Sequence, residues 1–137
     1  CCEGTSFCVK EIDIGMVADV GTLQNLPGLM PEGLVRELAF TGRNMDAQEA
    51  LQSGFITRVY TDRNALMEGV LDLARTLAAK APLAVRGLKR VLNYTKDHSV
   101  EDGLEYVAIW NAGMMSKVDI QEAMTARIEQ RQPKFMD

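Results

Sequence analysis

The chain has 137 residues, of which 47% are apolar and 25% charged, and its net charge is -4. That length and balance suit one soluble globular domain with a real core, and they exclude a disordered chain, a collagen and a coiled-coil rod. No stretch approaches the ~20 apolar residues of a membrane helix, and an acidic balance argues against nucleic acid as a partner.

The first residues are Cys1-Cys2 rather than Met or a leader, so the start reads as cut. Residues 6–10 read as a short strand that leads into a sharp turn at Gly15. Cys8, between Phe7 and Val9, is expected as a small buried thiol. The three cysteines lack a second pair or a nearby histidine, which favours structural thiols over a zinc or redox site. Asp19 precedes Val20-Gly21-Thr22-Leu23 and is expected to cap a short helix ending before Pro27. The next helix starts at Pro31 and turns Leu34, Val35, Leu38 and Ala39 inward. Asp46, with Glu49 three residues on, opens a further helix that Gly54 stops. Residues 55–60 are then the last β-rich run, expected as a strand.

From Asp62 onward the pattern is helical. Leu66, Val70, Leu73, Ala74, Leu77 and Ala81 form one apolar stripe. Pro82 opens a second helix, with Val85, Leu88 and Leu92 expected inward. Ser99 with Asp102 and Ser116 with Asp119 mark two more starts, and the last helix, which carries Ile120, Ala123, Met124 and Ile128, is expected to end near Pro133. The helix after Ser99 is apolar nearly all round. Leu104, Val107, Ala108 and Met115 make one face, while Tyr106, Ile109, Trp110 and Met114 fill the others. Such a helix is buried on every side, either by a second subunit or at the centre of its own bundle.

Few side chains suggest chemistry by themselves. His98 has no nucleophile setting around it and reads as a loop or capping residue. No phosphate-binding glycine motif is present. Lys80, Arg86, Lys89 and Arg90 suit a solvated face, with a phosphate-bearing ligand or an acidic partner as the functional alternative. Glu11, Asp13 and Asp19 lie in an apolar run between Val9 and Val20. Desolvation there would suit two of them to move a proton between carbons, whereas solvated turn carboxylates are the plainer reading.

Several motifs nevertheless resemble one family. Residues 7–15, Leu38-Ala39-Phe40-Thr41-Gly42-Arg43, Ala47-Gln48-Glu49-Ala50 with Gly54 and Val59, and Arg131-Gln132-Pro133-Lys134-Phe135 are similar to the enoyl-CoA hydratase/isomerase (crotonase) superfamily. Residues 16–24 lack the Pro-Gly pair of typical hydratases and, with Asp97-His98-Ser99-Val100 and Trp110-Asn111, look like the dienoyl-CoA isomerase subgroup.

The resemblance implies an α/β crotonase fold, of which this chain would be the C-terminal half. Residues 1–60 would be the last part of the β-spiral core, and residues 61–137 the helical domain that trimerises the family. It implies an isomerase of fatty-acid β-oxidation that converts a 3,5-dienoyl-CoA to a 2,4-dienoyl-CoA, with Glu11 and Asp19 as catalytic carboxylates. It implies no metal or separate cofactor, since coenzyme A arrives on the acyl substrate. It further implies a homotrimer or hexamer, and a mitochondrial or peroxisomal (or glycosome-like) matrix. The backbone donors for the enolate oxygen would lie upstream, so the chain alone is expected to be inactive. The family's coenzyme A contacts in the last helix do not carry over, because Arg127 and Gln130 stand there; Arg127 or Arg131 is the replacement to consider. An enoyl-CoA hydratase and a non-catalytic oligomerisation module are the alternatives.

Overall fold

A computed structural model describes residues 1–136. Two compact units are present, Cys1–Val70 and the residues from Leu71 onward. The division falls inside a helix, ten residues past the boundary expected at residue 60.

The first unit contains β1 (Ser6–Phe7), β2 (Met45–Asp46), a one-turn helix α1 (Thr22–Asn25), α2 (Glu32–Thr41), α3 (Ala47–Gln52) and the start of α4 (Arg63–Ala78). The two strands pair antiparallel, Ser6 opposite Asp46 and Phe7 opposite Met45. α2 follows the sequence closely. Val35 and Leu38 are buried at 4% and 2% exposure, and Leu34 and Ala39 are half-buried. Val35 and Leu38 make the core with Met30, Met45 and Ala50, and Phe7, Leu26, Leu34, Phe55 and Ile56 pack against it. Phe7 and Phe55 meet edge to face, their centroids 5.1 Å apart. Asp46 caps α3 by accepting the Glu49 N–H at 2.8 Å, and Gly54 follows the helix at φ +82°.

Four local expectations differ from the structure. The strand at residues 6–10 is only two residues long, and Cys8 is exposed rather than buried. The run 55–60 forms no strand. Its Ile56 N–H turns back to the Ala50 carbonyl, and only Tyr60 pairs, through bonds to Cys1 and Glu3. β propensity without a neighbouring strand does not make a ladder. Asp19 does not cap α1; Gly21, at φ +89°, occupies that position. Among the described residues no cluster of side chains suits a metal ion, and no helix is long and apolar enough to cross a membrane.

The second unit contains α5 (Pro82–Tyr94), α6 (Val100–Met114) and α7 (Lys117–Ile128). The helix starts are those expected. Pro82 opens α5, Ser99 and Asp102 form a reciprocal capping box, and Ser116 accepts the Asp119 N–H. The inward face expected of α5 is not found. Leu88 and Leu92 point outward at 64% and 66% exposure. In α6 Leu104 and Ile109 are 66% and 62% exposed, so that helix does not lie at the centre of a bundle within this chain. α5 and α6 meet instead through glycines. Gly87 is buried against the Trp110 indole, and Gly103 sits under the Thr95 methyl. A missing Cβ leaves room for a bulky side chain from the facing helix, and Tyr94 of α5 stacks on Tyr106 of α6 with centroids 4.5 Å apart, so the contact does not follow the longest apolar stripe. In α7, likewise, Ala126 is buried, while Met124 and Ile128 are exposed.

α7 ends at Ile128, five residues before Pro133. Gln130 there adopts φ +52°, the only non-glycine in the left-handed region among the described residues. The Arg131 N–H bonds the Ala126 carbonyl and the Gln130 N–H that of Arg127, which is the paired ending of a Schellman motif.

Candidate active site

The two carboxylates singled out in the sequence lie on one irregular segment between Val9 and α1. Val9 and Ala18 are its buried anchors, at 8% and 6% exposure. Between them, residues Glu11–Ile14 form a single 3-10 turn. Gly15, at φ +75°, closes it, and the Met16 N–H returns to the Glu11 carbonyl at 3.0 Å. A left-handed residue is needed for that reversal, which glycine adopts without a Cβ clash.

The turn rests on the end of α2. Gly42, at φ +60°, ends that helix by donating its N–H to Leu38 O at 3.0 Å. A Cβ on Gly42 would stand 3.0 Å from Asp13 Oδ1 and 3.1 Å from Ile12 Cγ2, so turn and helix end are in close contact. Lys10 Nζ donates to the Gly42 carbonyl at 2.7 Å and to Asp13 Oδ2 at 2.9 Å. The hydrogen bond from Lys10 to Asp13 holds the ammonium above its ordinary pKa.

Glu11 is half-buried and Asp19 exposed. Among the described residues neither carboxylate accepts a hydrogen bond or enters an ion pair. Their apolar neighbours are exposed too, Ile14 at 72%, Val17 at 75% and Val20 at 83%, so within this chain the run does not enclose its carboxylates. The third candidate, Asp13, is taken up by Lys10. A cavity of about 250 Å³ lies beside the segment, lined by Phe7, Cys8, Val9, Thr22, Met30 and Phe55 among others; Glu11 and Asp19 are not in its wall.

The other conspicuous polar groups are structural. Thr41 Oγ1 bonds the Glu37 carbonyl at 2.7 Å. Arg43 joins Glu37 at 2.6 Å and grips Glu49 through two bonds of 2.8 and 2.6 Å. The Arg43 guanidinium holds the Glu49 carboxyl below the usual range. Sequence reading missed this link, because Arg43 reaches six residues in both directions along the chain.

Arg131 likewise pairs with Glu122 at 2.6 and 3.0 Å and with Glu129 at 2.6 Å. The Lys134 N–H adds a bond to Glu122, and Arg131 followed by Lys134 brings the Glu122 carboxyl down to about 2. That engagement leaves Arg131 poorly placed to replace the family's coenzyme A contacts. Arg90 stands 5.4 Å from the Trp110 ring centre, so at least one of the basic residues on α5 packs on its own hairpin. His98 Nδ1 lies 2.7 Å from the Tyr94 carbonyl and 2.7 Å from Asp97, in the capping role expected of it.

A family model for enoyl-CoA hydratase/isomerase matches residues 1–137. The chain belongs to this family. Among the curated enoyl-CoA hydratase/isomerase relatives, the mitochondrial Delta(3,5)-Delta(2,4)-dienoyl-CoA isomerase of Mus musculus is 43% identical over 135 residues. The peroxisomal enzyme of that name from Arabidopsis thaliana is 41% identical over the same length. Each alignment covers 98% of this chain but 41% and 49% of those relatives, so the chain spans less than half their length. A crystal structure of an enoyl-CoA hydratase from Bacillus anthracis superimposes with a TM-score of 0.92 at 28% identity, over 98% of this chain and 52% of the other. The fold is that of crotonase-family enzymes, here mostly helical, and the family's chemistry is that of isomerases and hydratases.

Proposed function

We propose that the chain serves in a Δ3,5-Δ2,4-dienoyl-CoA isomerase, with Glu11 and Asp19 as its proton-moving carboxylates. The observation that carries this reading is the pair itself. Two partnerless carboxylates stand on one segment whose backbone is anchored at Val9 and Ala18, in a chain 43% identical to enzymes of that name. Glu11 takes a proton from the carbon α to the thioester. The electron pair shifts along the diene, and Asp19 delivers a proton at the far end, leaving the 2,4-diene. The dienolate oxygen needs backbone N–H donors in a water-poor site; in this reading they come from outside residues 1–137, and the segment by itself does not turn over. Coenzyme A enters on the substrate, and no metal is involved.

The test is Glu11→Gln and Asp19→Asn in the intact protein, following the 2,4-dienoyl product by its ultraviolet absorption. Each change is expected to lower kcat at least 100-fold, since general acid–base catalysis contributes about 10²–10⁴. An Asp19→Asn protein that isomerises at the parental rate would rule the reading out. The likeness to a solved hydratase supports the second reading, an enoyl-CoA hydratase; in that case Asp19→Asn leaves hydration of a 2-enoyl-CoA intact.

Assembly into a trimer or hexamer through residues 61–137 belongs to the same proposal. Its support is the outward apolar side chains of α6, with Val100 80% and Leu104 66% exposed. Sedimentation of the intact protein checks it, and a monomer would overturn it. The third reading, a non-catalytic oligomerisation module, predicts that assembly and no turnover by any variant. A mitochondrial or peroxisomal matrix is proposed from the names of the relatives, to be checked by fractionation.

A further inference from the structure

We propose that Lys10 is a positioning residue for the isomerase reaction, clamping the turn that carries Glu11 onto the C-terminal end of α2. The inference rests on the reading of Glu11 as a catalytic carboxylate. Three observations lead to it.

First, no side chain among the described residues holds the Glu11 carboxylate, so its aim is set by the backbone on either side of it. Second, both neighbours of Glu11 are engaged with the same helix end. Lys10 Nζ bonds Gly42 O at 2.7 Å, and the Ile12 side chain lies against the Gly42 Cα, where a Cβ would come within 3.1 Å of Ile12 Cγ2. Third, the same ammonium takes Asp13 Oδ2 at 2.9 Å, so one cation ties residues 10, 13 and 42 together across the turn. A lysine suits that place for two reasons. The last carbonyls of a helix carry partial negative charge and attract a cation. Three ammonium donors also allow simultaneous bonds to a carbonyl and a carboxylate.

The Lys10 and Asp13 side chains are 57% and 50% exposed. An ion pair in that setting adds little to global stability, so its consequence is local. Displacing a catalytic group by about 1 Å costs on the order of 100-fold in rate. Loss of the clamp frees the turn by that kind of distance while the core of Val35, Leu38 and Met45 stays as it is.

The experiment uses the intact, assembled protein with a 3,5-dienoyl-CoA. Lys10→Met is expected to lower kcat about 10- to 100-fold, with KM within about threefold of the parent. The melting temperature should stay within about 3 °C, in keeping with a surface pair. Solvent deuterium incorporation at the α carbon should fall in step with kcat, since that half-reaction belongs to Glu11. Lys10→Arg, which keeps charge and donors, should recover at least a third of the parental kcat. If Lys10→Met does not fold, Asp13→Asn takes its place, with the same split in kcat and KM expected.

Parental kcat in Lys10→Met would overturn the proposal, as would a loss confined to KM, which would mean contact with substrate rather than positioning. Glu11→Gln, measured alongside, separates the two levels. If Glu11→Gln is inactive and Lys10→Met is fully active, only the role of Lys10 falls. If Glu11→Gln is itself fully active, the carboxylate reading falls and the role of Lys10 falls with it.

Discussion

Replacing Gly87 by alanine should destabilise the protein, whereas the same change at Gly113 should stabilise it. Both glycines lie within helices, Gly87 in the middle of α5 and Gly113 near the end of α6. Alanine in place of a helical glycine gains about 0.5–1 kcal/mol through lower backbone entropy in the unfolded chain. At Gly113 nothing lies within 4 Å of the new Cβ, so that gain stands nearly alone. At Gly87 the new Cβ would stand 2.9 Å from Trp110 Cε2 and 3.1 Å from Cδ1, and closer still to Nε1. Ordinary carbon contacts are about 3.5–4.0 Å, so the rigid indole must shift by on the order of 1 Å while Arg90 is held near its ring. Overpacking of that kind costs about 1–3 kcal/mol, which outweighs the helix gain and leaves a net loss of about 1–2 kcal/mol. The two variants should therefore differ by about 2 kcal/mol, or on the order of 8 °C in melting temperature. Thermal unfolding followed by circular dichroism measures the gap. The single tryptophan reports the cause, because its emission should change in Gly87→Ala and not in Gly113→Ala. Adding Trp110→Ala to Gly87→Ala should cost less than Trp110→Ala costs the parent, the signature of coupled neighbours. A Gly87→Ala protein that melts as high as Gly113→Ala would refute the packing argument.

Three further outcomes follow from individual contacts. The Glu122 carboxyl, held to about 2 first by Arg131 and then by the Lys134 N–H, adds stability that is complete above about 4.5 and lost as the pH falls through about 2. Urea midpoints of Glu122→Gln should thus lie below the parent's at pH 7 and converge with them towards pH 2. His98 is shifted the opposite way, its pKa raised first by the Tyr94 carbonyl and then by Asp97. Its contribution is complete below pH 6.5 and fades as the pH rises through the raised value, so His98→Asn should be more destabilising at pH 6 than at pH 8.5 in the same assay. Gln130 occupies the left-handed position that closes α7, and Gln130→Gly should stabilise by about 1 kcal/mol in chemical denaturation, because glycine removes the Cβ penalty.

Helix boundaries were legible wherever a short side chain sets them. Ser99, Ser116, Asp46 and Pro82 each act at the position their type prescribes, since a cap is decided within four residues. Helix faces were less legible. The stripe Leu66–Val70–Leu73–Leu77 is present in α4, yet Val70, Leu73 and Leu77 are about half exposed. Periodicity identifies an apolar stripe and cannot say which molecule covers it. The contact between α5 and α6 went unread for the converse reason: Gly87 and Gly103 add no hydrophobicity to the pattern they control. For the candidate site, the sequence placed Glu11 and Asp19 on one segment but gave no sign that Lys10 and Gly42, 32 residues apart, meet across the turn.

Thr41, Gly42 and Arg43 were among the residues that first suggested the family, and each has a mechanical task. Thr41 bonds back into α2, Gly42 ends it, and Arg43 fastens its last turn to α3. None of these tasks depends on which double bond is moved, or on whether water is added. The motif therefore works as a maker's mark of the scaffold. A chain sorted by it alone would be assigned to the right architecture and left without a reaction.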